Sequence, residues 1–197
     1  MPSSIRRLIA LDHDRMHRLA RRAYAPGPSQ ERWRDELVHL VRAHLTAESG
    51  ALTRDVVAQV GNDAAATAEE VRRTSDELAS RAAALADLPV AAPELATAGR
   101  SLEEALTAHA EVLERDVLSP LESVVPRKEV RRLGGIYAER RDAALYEEGE
   151  DRPPPRRLDL SRAELYELAK KAGIAGRSAM SRKDLISELQ RRQQGAR

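Results

Sequence analysis

The chain has 197 residues, with 33 Lys and Arg against 32 Asp and Glu, 42% hydrophobic residues, 3% aromatic, no Phe and no Cys. That length suits one domain, or one domain with a small appendage, and the lack of Cys excludes disulfides and thiolate chemistry. No apolar run approaches the ~18 residues of a membrane-spanning helix, and Leu8 to Leu11 is too short for a signal-peptide core, so a cytoplasmic protein with no membrane partner is expected.

The near-zero net charge hides an asymmetry. Residues 156–197 hold 11 Lys and Arg against 5 Asp and Glu, whereas residues 1–155 hold 22 against 27, so a tail of net +6 follows a body of net −5. Such a split predicts two modules, the basic one suited to an anionic partner such as nucleic acid.

Ala and Leu dominate the body, and no stretch sustains the alternation of Val, Ile, Thr and aromatics that a strand needs, which predicts an all-α fold. The first helix is expected from about Ser3 to Ala23, stopping before Pro26-Gly27-Pro28. The second runs from near Ser29 to about Val60, closed by Gly61-Asn62, with Gly50 as a point of bending. The third spans about Ala66 to Leu88, ahead of Pro89. The fourth starts near Ser101, whose Ser-x-x-Glu pattern to Glu104 is a capping box, and stops by Pro120. Joined by short connections, these four bury their apolar stripes most simply as an up-down-up-down four-helix bundle over residues 1–125. A further charged helix, interrupted around Gly134-Gly135, is expected within residues 126–147. The charged, Pro-rich stretch 148–157, with Pro153-Pro154-Pro155, reads as an extended linker. Two short helices, at about 162–172 and 182–192, then follow from the capping patterns Ser161 to Glu164 and Ser181 to Asp184, with Gly173 ending the first.

Helical geometry at about 100° per residue sorts the five histidines by face. Trp33, Leu37, Leu40 and Ala51 lie within about 40° of His44, which places His44 in the buried stripe with Glu48 a turn away. His109 repeats the arrangement among Leu102, Ala105 and Leu113, and His13 lies towards one edge of the stripe of Ile5, Ile9, Met16 and Ala20. His39, about 140° from His44, and His17, beyond its stripe, read as surface residues. A single inward histidine is most simply a hydrogen-bonded core residue. Three on facing stripes, with a carboxylate beside one of them, favour a metal site.

The residues Leu11-Asp12-His13, His44-Leu-Thr-Ala-Glu48, and His109 with Glu114 ahead of Leu118-Ser119-Pro120 resemble the hemerythrin HHE cation-binding family over residues 1 to about 125. The resemblance implies a four-helix bundle holding non-haem iron through histidines and bridging carboxylates, with roles in binding dioxygen or another diatomic, in iron or redox sensing, or in peroxide chemistry. It assigns the metal ligands to His13, His44, Glu48, His109 and Glu114. On an ideal helix Glu114 lies about 140° from His109 and Asp116 within about 20°, so only a local bulge would bring Glu114 in; the family spacing favours Glu114. Where the family's third helix supplies a histidine this chain has Ser75. The expected centre is therefore mononuclear, or an asymmetric di-iron site of low occupancy in which the second ion keeps chiefly His109 and bridging oxygens. No catalytic residue is assigned, and a metal-binding or sensor protein is favoured over an enzyme. A metal-free scaffold and a weak peroxidase or oxygen reductase are the alternatives.

In residues 158–192, Leu165, Leu168, Ala169, Leu185, Ile186 and Leu189 recur at helical spacing, enough for two short helices to share a small core. The run Gly176-Arg-Ser-Ala-Met-Ser-Arg-Lys-Asp-Leu185 resembles the Rho termination factor N-terminal domain, a SAP-like helix–loop–helix. That resemblance implies DNA or RNA binding, with Lys170, Lys171, Arg177, Arg182 and Lys183 as phosphate contacts. Tyr166 is the only aromatic of the tail, so backbone-directed, salt-sensitive and weakly sequence-selective binding is expected rather than base stacking.

Overall fold

A computed structural model describes residues 4–25, 27, 29–60, 63–146 and 162–194, which are all-α, with no strand among them. They divide into two compact units, one within residues 3–148 and one within 149–197. The linker expected at 148–157, and Ser161 with its capping pattern, lie outside the described residues. No helix among the described residues is long and apolar enough to cross a membrane.

The larger unit contains α1 (Ile5–Ala23), α2 (Gln30–Ala51), the short α3 (Arg54–Val57), α4 (Ala64–Asp87), α5 (Leu95–Val112), a π-helical segment (Leu113–Leu118), α6 (Ser119–Val124) and α7 (Arg127–Tyr146). Side-chain caps start two of these. The Ser4 side chain accepts from the Arg7 amide ahead of α1, and Asp63 accepts from Ala66 N at 3.0 Å ahead of α4.

Two apolar clusters hold the unit together. In one, Met16, Leu19, Ala20 and Ala23 of α1 join Leu37, Leu40 and Val41 of α2, Leu78, Ala82 and Leu85 of α4, and Leu95, Leu102 and Leu106 of α5. In the other, Ile5, Leu8 and Ile9 join Ala47 and Ala51, Leu113, Val117 and Leu121, and Val130, Leu133 and Tyr137 of α7. The late residues of α1 thus share a cluster with the early ones of α2 and α5. His13, His44 and His109 fall, on their own helices, between the residues of one cluster and those of the other.

Four boundaries differ from the expectations. The second helix ends at Ala51 rather than running to Val60, because Leu52, Val56, Val57 and Val60 all enter the core and an extended Thr53 (φ −61°, ψ 162°) turns the chain to let them do so. The fourth helix begins at Leu95, two residues after Pro93, so Ser101 lies inside it rather than at its start; Leu95 is buried and anchors the earlier start. Pro120 does not stop it. Ser119 N–H bonds the Glu114 carbonyl five residues back, and Pro120 follows in the first turn of α6, where a missing N–H costs nothing. Finally, α7 passes through Gly134-Gly135 without a break, its Val130, Leu133 and Tyr137 packed in the core alongside α1 and α2. Gly50 lies within α2 where a Cβ would meet the Arg140 side chain of α7, so its role is close approach rather than bending.

The smaller unit pairs α8 (Arg162–Lys171) with α9 (Arg182–Gln194) around Leu165, Ala169, Ile174, Leu185, Ile186 and Leu189. Gly173, at φ 65°, ends α8 as expected, with Ile174 N–H returning to the Ala169 carbonyl at 2.9 Å. The Ser181 capping box is formed: Asp184 N–H bonds Ser181 Oγ at 3.2 Å and Ser181 N–H bonds Asp184 Oδ2 at 3.1 Å.

Candidate metal centre

His13 of α1, His44 and Glu48 of α2 and His109 of α5 meet in the layer between the two apolar clusters, at 8%, 0%, 3% and 0% exposure. His13 Nε2 lies 3.2 Å from His44 Nε2, which lies 3.4 Å from His109 Nε2. Glu48 Oε2 lies 2.9 Å from His109 Nε2 and 3.3 Å from His44 Nε2, yet it is buried without a hydrogen-bond partner. The three imidazoles can offer ring nitrogens that all lie within 4.8 Å of one another.

The outward nitrogens decide what the inward ones carry. Tyr137 of α7 donates its hydroxyl proton to Asp12 Oδ2 at 2.6 Å, so at 2.6 Å from His44 Nδ1 its oxygen accepts, and His44 is protonated on Nδ1. Thr74 of α4 points its hydroxyl proton at the Glu70 and Val71 carbonyls, both at 3.1 Å, and so accepts from His109 Nδ1 at 3.4 Å. His44 and His109 therefore present bare Nε2 lone pairs to each other and to the Glu48 carboxylate. His13 can offer one proton to this group of acceptors, which leaves the rest facing one another in a dry interior, at a cost that a cation would remove.

The spacing fits such a cation. Ligands held 2.0–2.1 Å from one ion stand about 3.3 Å apart in a tetrahedral arrangement, close to the 2.9–3.4 Å contacts of His44 with His13 and His109 and of Glu48 with His44 and His109. Three imidazoles and a carboxylate suit a first-row transition metal rather than Mg²⁺ or Ca²⁺. Burial, with His44 and His109 alongside, pushes the His13 imidazole down to about 2.

Glu114 does not join this group. The π-helical segment expected to bring it in instead turns Leu113, Val117 and Leu118 into the core and leaves Glu114 at the surface, where Arg6 holds it through a 3.1 Å bond from Nε to Oε2. Asp116 is likewise turned away and paired with Arg115 at 2.7 Å. Ser75, where the resemblance leads one to expect a histidine, donates to Glu48 Oε1 at 3.3 Å. His39 is half-buried rather than solvated, its Nε2 3.1 Å from the Leu145 carbonyl of α7, while His17 lies 3.6 Å from Glu103.

Sequence reasoning missed Thr74, Tyr137 and Arg141, and gave Asp12 no role of its own. Arg141 NH1 holds Asp12 Oδ1 at 2.9 Å, and Asp12 is only 4% exposed. Burial opposes the Arg141 cation, but Asp12, Asp142 and Tyr137 together outweigh it and raise its pKa; burial and Asp12 together push the Tyr137 hydroxyl well above its ordinary value. The signal was present in the spacing of Leu133, Tyr137 and Arg141, one helical turn apart on a single face.

In the smaller unit Lys170, Arg182 and Lys183 are exposed, while Lys171 lies in α8 with its side chain outside the described residues. Arg177 is half-buried, donating to the Ile174 carbonyl at 2.9 Å with its guanidinium 5.7 Å from the Tyr166 ring, so it braces the turn between α8 and α9. No protein-family model, curated protein or solved structure matches the chain.

Proposed function

We propose that residues 1–125 form a hemerythrin-like up-down-up-down four-helix bundle that holds one non-haem iron ion through His13, His44, Glu48 and His109. The observation that carries this reading is the convergence of bare imidazole nitrogens on a buried Glu48 oxygen that lacks a hydrogen-bond partner. Iron rather than another transition metal follows from the family resemblance. A single ion follows from the carboxylates: Glu114 and Asp116 are engaged by arginines elsewhere, and among the described residues Glu48 is the carboxylate that reaches His44 and His109. When bound, the iron supplies redox chemistry and a place for dioxygen or another diatomic ligand. The chain's own side chains supply donors, orient them through Tyr137 and Thr74, and keep bulk water out.

The same reading makes residues 158–192 a SAP-like module that binds DNA or RNA by its phosphates, in a cytoplasmic oxygen, redox or iron sensor. Its support is the basic charge of the tail and the exposed Lys170, Arg182 and Lys183.

Metal analysis of the purified full chain tests the first half. One iron per chain, removable by chelator and restored by Fe(II), is expected, with binding lost in His44→Ala. A colourless protein that takes up no Fe(II) overturns it. A mobility shift on DNA and RNA tests the second half, with loss on deletion of 156–197 expected; unchanged binding after that deletion overturns it.

A further inference from the structure

We propose that Tyr137 is a positioning residue of the metal centre: from α7, which carries none of the ligands, its hydroxyl sets the His44 tautomer, so that metal binding and the seating of α7 favour one another. The inference rests on the metal reading above and concerns a helix outside the three that supply the donors.

The relay is ordered from its outer end. Arg141 and Tyr137 stand four residues apart on α7 and both reach Asp12 of α1, Arg141 at Oδ1 (2.9 Å) and Tyr137 at Oδ2 (2.6 Å). With Asp12 ion-paired to Arg141 it can only accept. The one proton of Tyr137 is thereby committed to Asp12, and its oxygen is left to accept from His44 Nδ1 at 2.6 Å. The tautomer this imposes is the one whose Nε2 is free for a cation. Without the hydroxyl, nothing else described at Nδ1 selects it, and His44 is free to carry its proton inward, on Nε2, against His13, His109 and Glu48.

The coupling runs both ways. A cation on Nε2 withdraws charge from the ring and strengthens the Nδ1–H bond to Tyr137, which holds α7 against α2 together with the His39 to Leu145 contact at its far end. Whatever seats α7 better when metal is bound must, by linkage, bind metal better when α7 is seated. Outer partners of ligating histidines are typically worth 10–100-fold in metal affinity.

The experiment uses the full chain and Co(II), with Fe(II) under anaerobic conditions as a second probe. Tyr137→Phe keeps the ring in the core and removes only the hydroxyl, so a purely structural role leaves the Co(II) Kd from chelator competition unchanged. Positioning predicts a loss of about 10–100-fold. In the wild type, Co(II) should also slow amide exchange along α7, and in Tyr137→Phe it should do so less. A variant Kd within about twofold of the wild type overturns the proposal. The nitrogen chemical shifts of His44 in the metal-free wild type decide it independently of that variant's folding: protonation on Nδ1 is expected, and protonation on Nε2 overturns it. A wild type that takes up neither metal defeats the metal reading, whereas a Co(II)-binding wild type matched by its Tyr137→Phe variant defeats this one alone.

Discussion

At the scale of single residues, the proposed metal site trades stability for binding. His13 is buried and held neutral, its imidazole pushed from an ordinary 6.5 down to about 2 by burial and by His44 and His109. Below pH 6.5 the unfolded chain takes up a proton at this residue and the folded chain does not, so the stability present above that pH is lost as pH falls. Between 6.5 and about 4.5, before carboxylates titrate, the metal-free protein should lose stability with a slope approaching about 1.4 kcal/mol per pH unit from His13. Urea unfolding across that window measures it, and His13→Asn should flatten the slope. Glu48 shows the trade from the other side. Glu48→Gln places an amide donor beside the His109 lone pair, so the metal-free protein should gain about 1 kcal/mol while Co(II) or Fe(II) binding weakens sharply. Loss of stability together with intact metal binding would contradict the assignment of Glu48 as a ligand. The inward direction of His13, His44, Glu48 and His109 was legible in the sequence, because helical phase alone sets it. The tautomers were not, since they depend on Thr74 and Tyr137 arriving from other helices.

At the scale of elements, the departures from expectation share a cause: the core recruits residues that local rules assign elsewhere. The π-helical segment inserts extra chain so that Leu113, Val117 and Leu118 all face inward; the sequence suggests a bulge here only as what would bring Glu114 in, and it serves the core instead. Glu114 is consequently carried to Arg6. Helix α7 looked like a charged, Gly-interrupted segment, yet Val130, Leu133 and Tyr137 give it a narrow apolar face that is enough to seat it on α1 and α2. The start of α5 at Leu95 has its own consequence. It puts Gly99 against Tyr24, where an added Cβ would come within 2.9 Å of the Tyr24 Cβ and closer still to its ring. Because Tyr24 is tied to Glu103 by a 2.7 Å bond, the ring cannot easily yield, and Gly99→Ala should cost about 1–3 kcal/mol. Gly135, exposed on α7 with nothing within 4 Å of its Cβ position, is the control: Gly135→Ala should stabilise by up to about 1 kcal/mol. Chemical denaturation of the pair measures both signs.

At the scale of the whole molecule, the proposed nucleic-acid role rests on the charge split between a body of net −5 and a tail of net +6. The basic tail was legible because its charges, its capping box and Gly173 are all local features. The use of each arginine was not, because Arg177 reads in sequence as one more cation. In the structure it donates to the Ile174 carbonyl and lies beside Tyr166, so it is spent on holding the turn, in a unit whose core holds six buried apolar side chains among the described residues. The two kinds of cation should separate in salt titrations of nucleic-acid binding. Each phosphate contact contributes about 0.9 to the slope of log Kobs against log salt on duplex DNA, and about 0.7 on single strands. Lys183→Ala, which removes an exposed cation beside the α9 N-terminus, should weaken binding modestly at low salt and lower that slope by about 1 without changing the helicity of the unit. Arg177→Ala should do the reverse, lowering the thermal midpoint of the tail. Its loss of binding should recover on cooling, because the remaining contacts are intact once the turn is formed. Equal slopes for Lys183→Ala and the wild type would show that the exposed face of α9 is not the phosphate-binding surface. A slope lowered by Arg177→Ala at a temperature where the tail is fully helical would show its guanidinium leaving the turn to meet the nucleic acid.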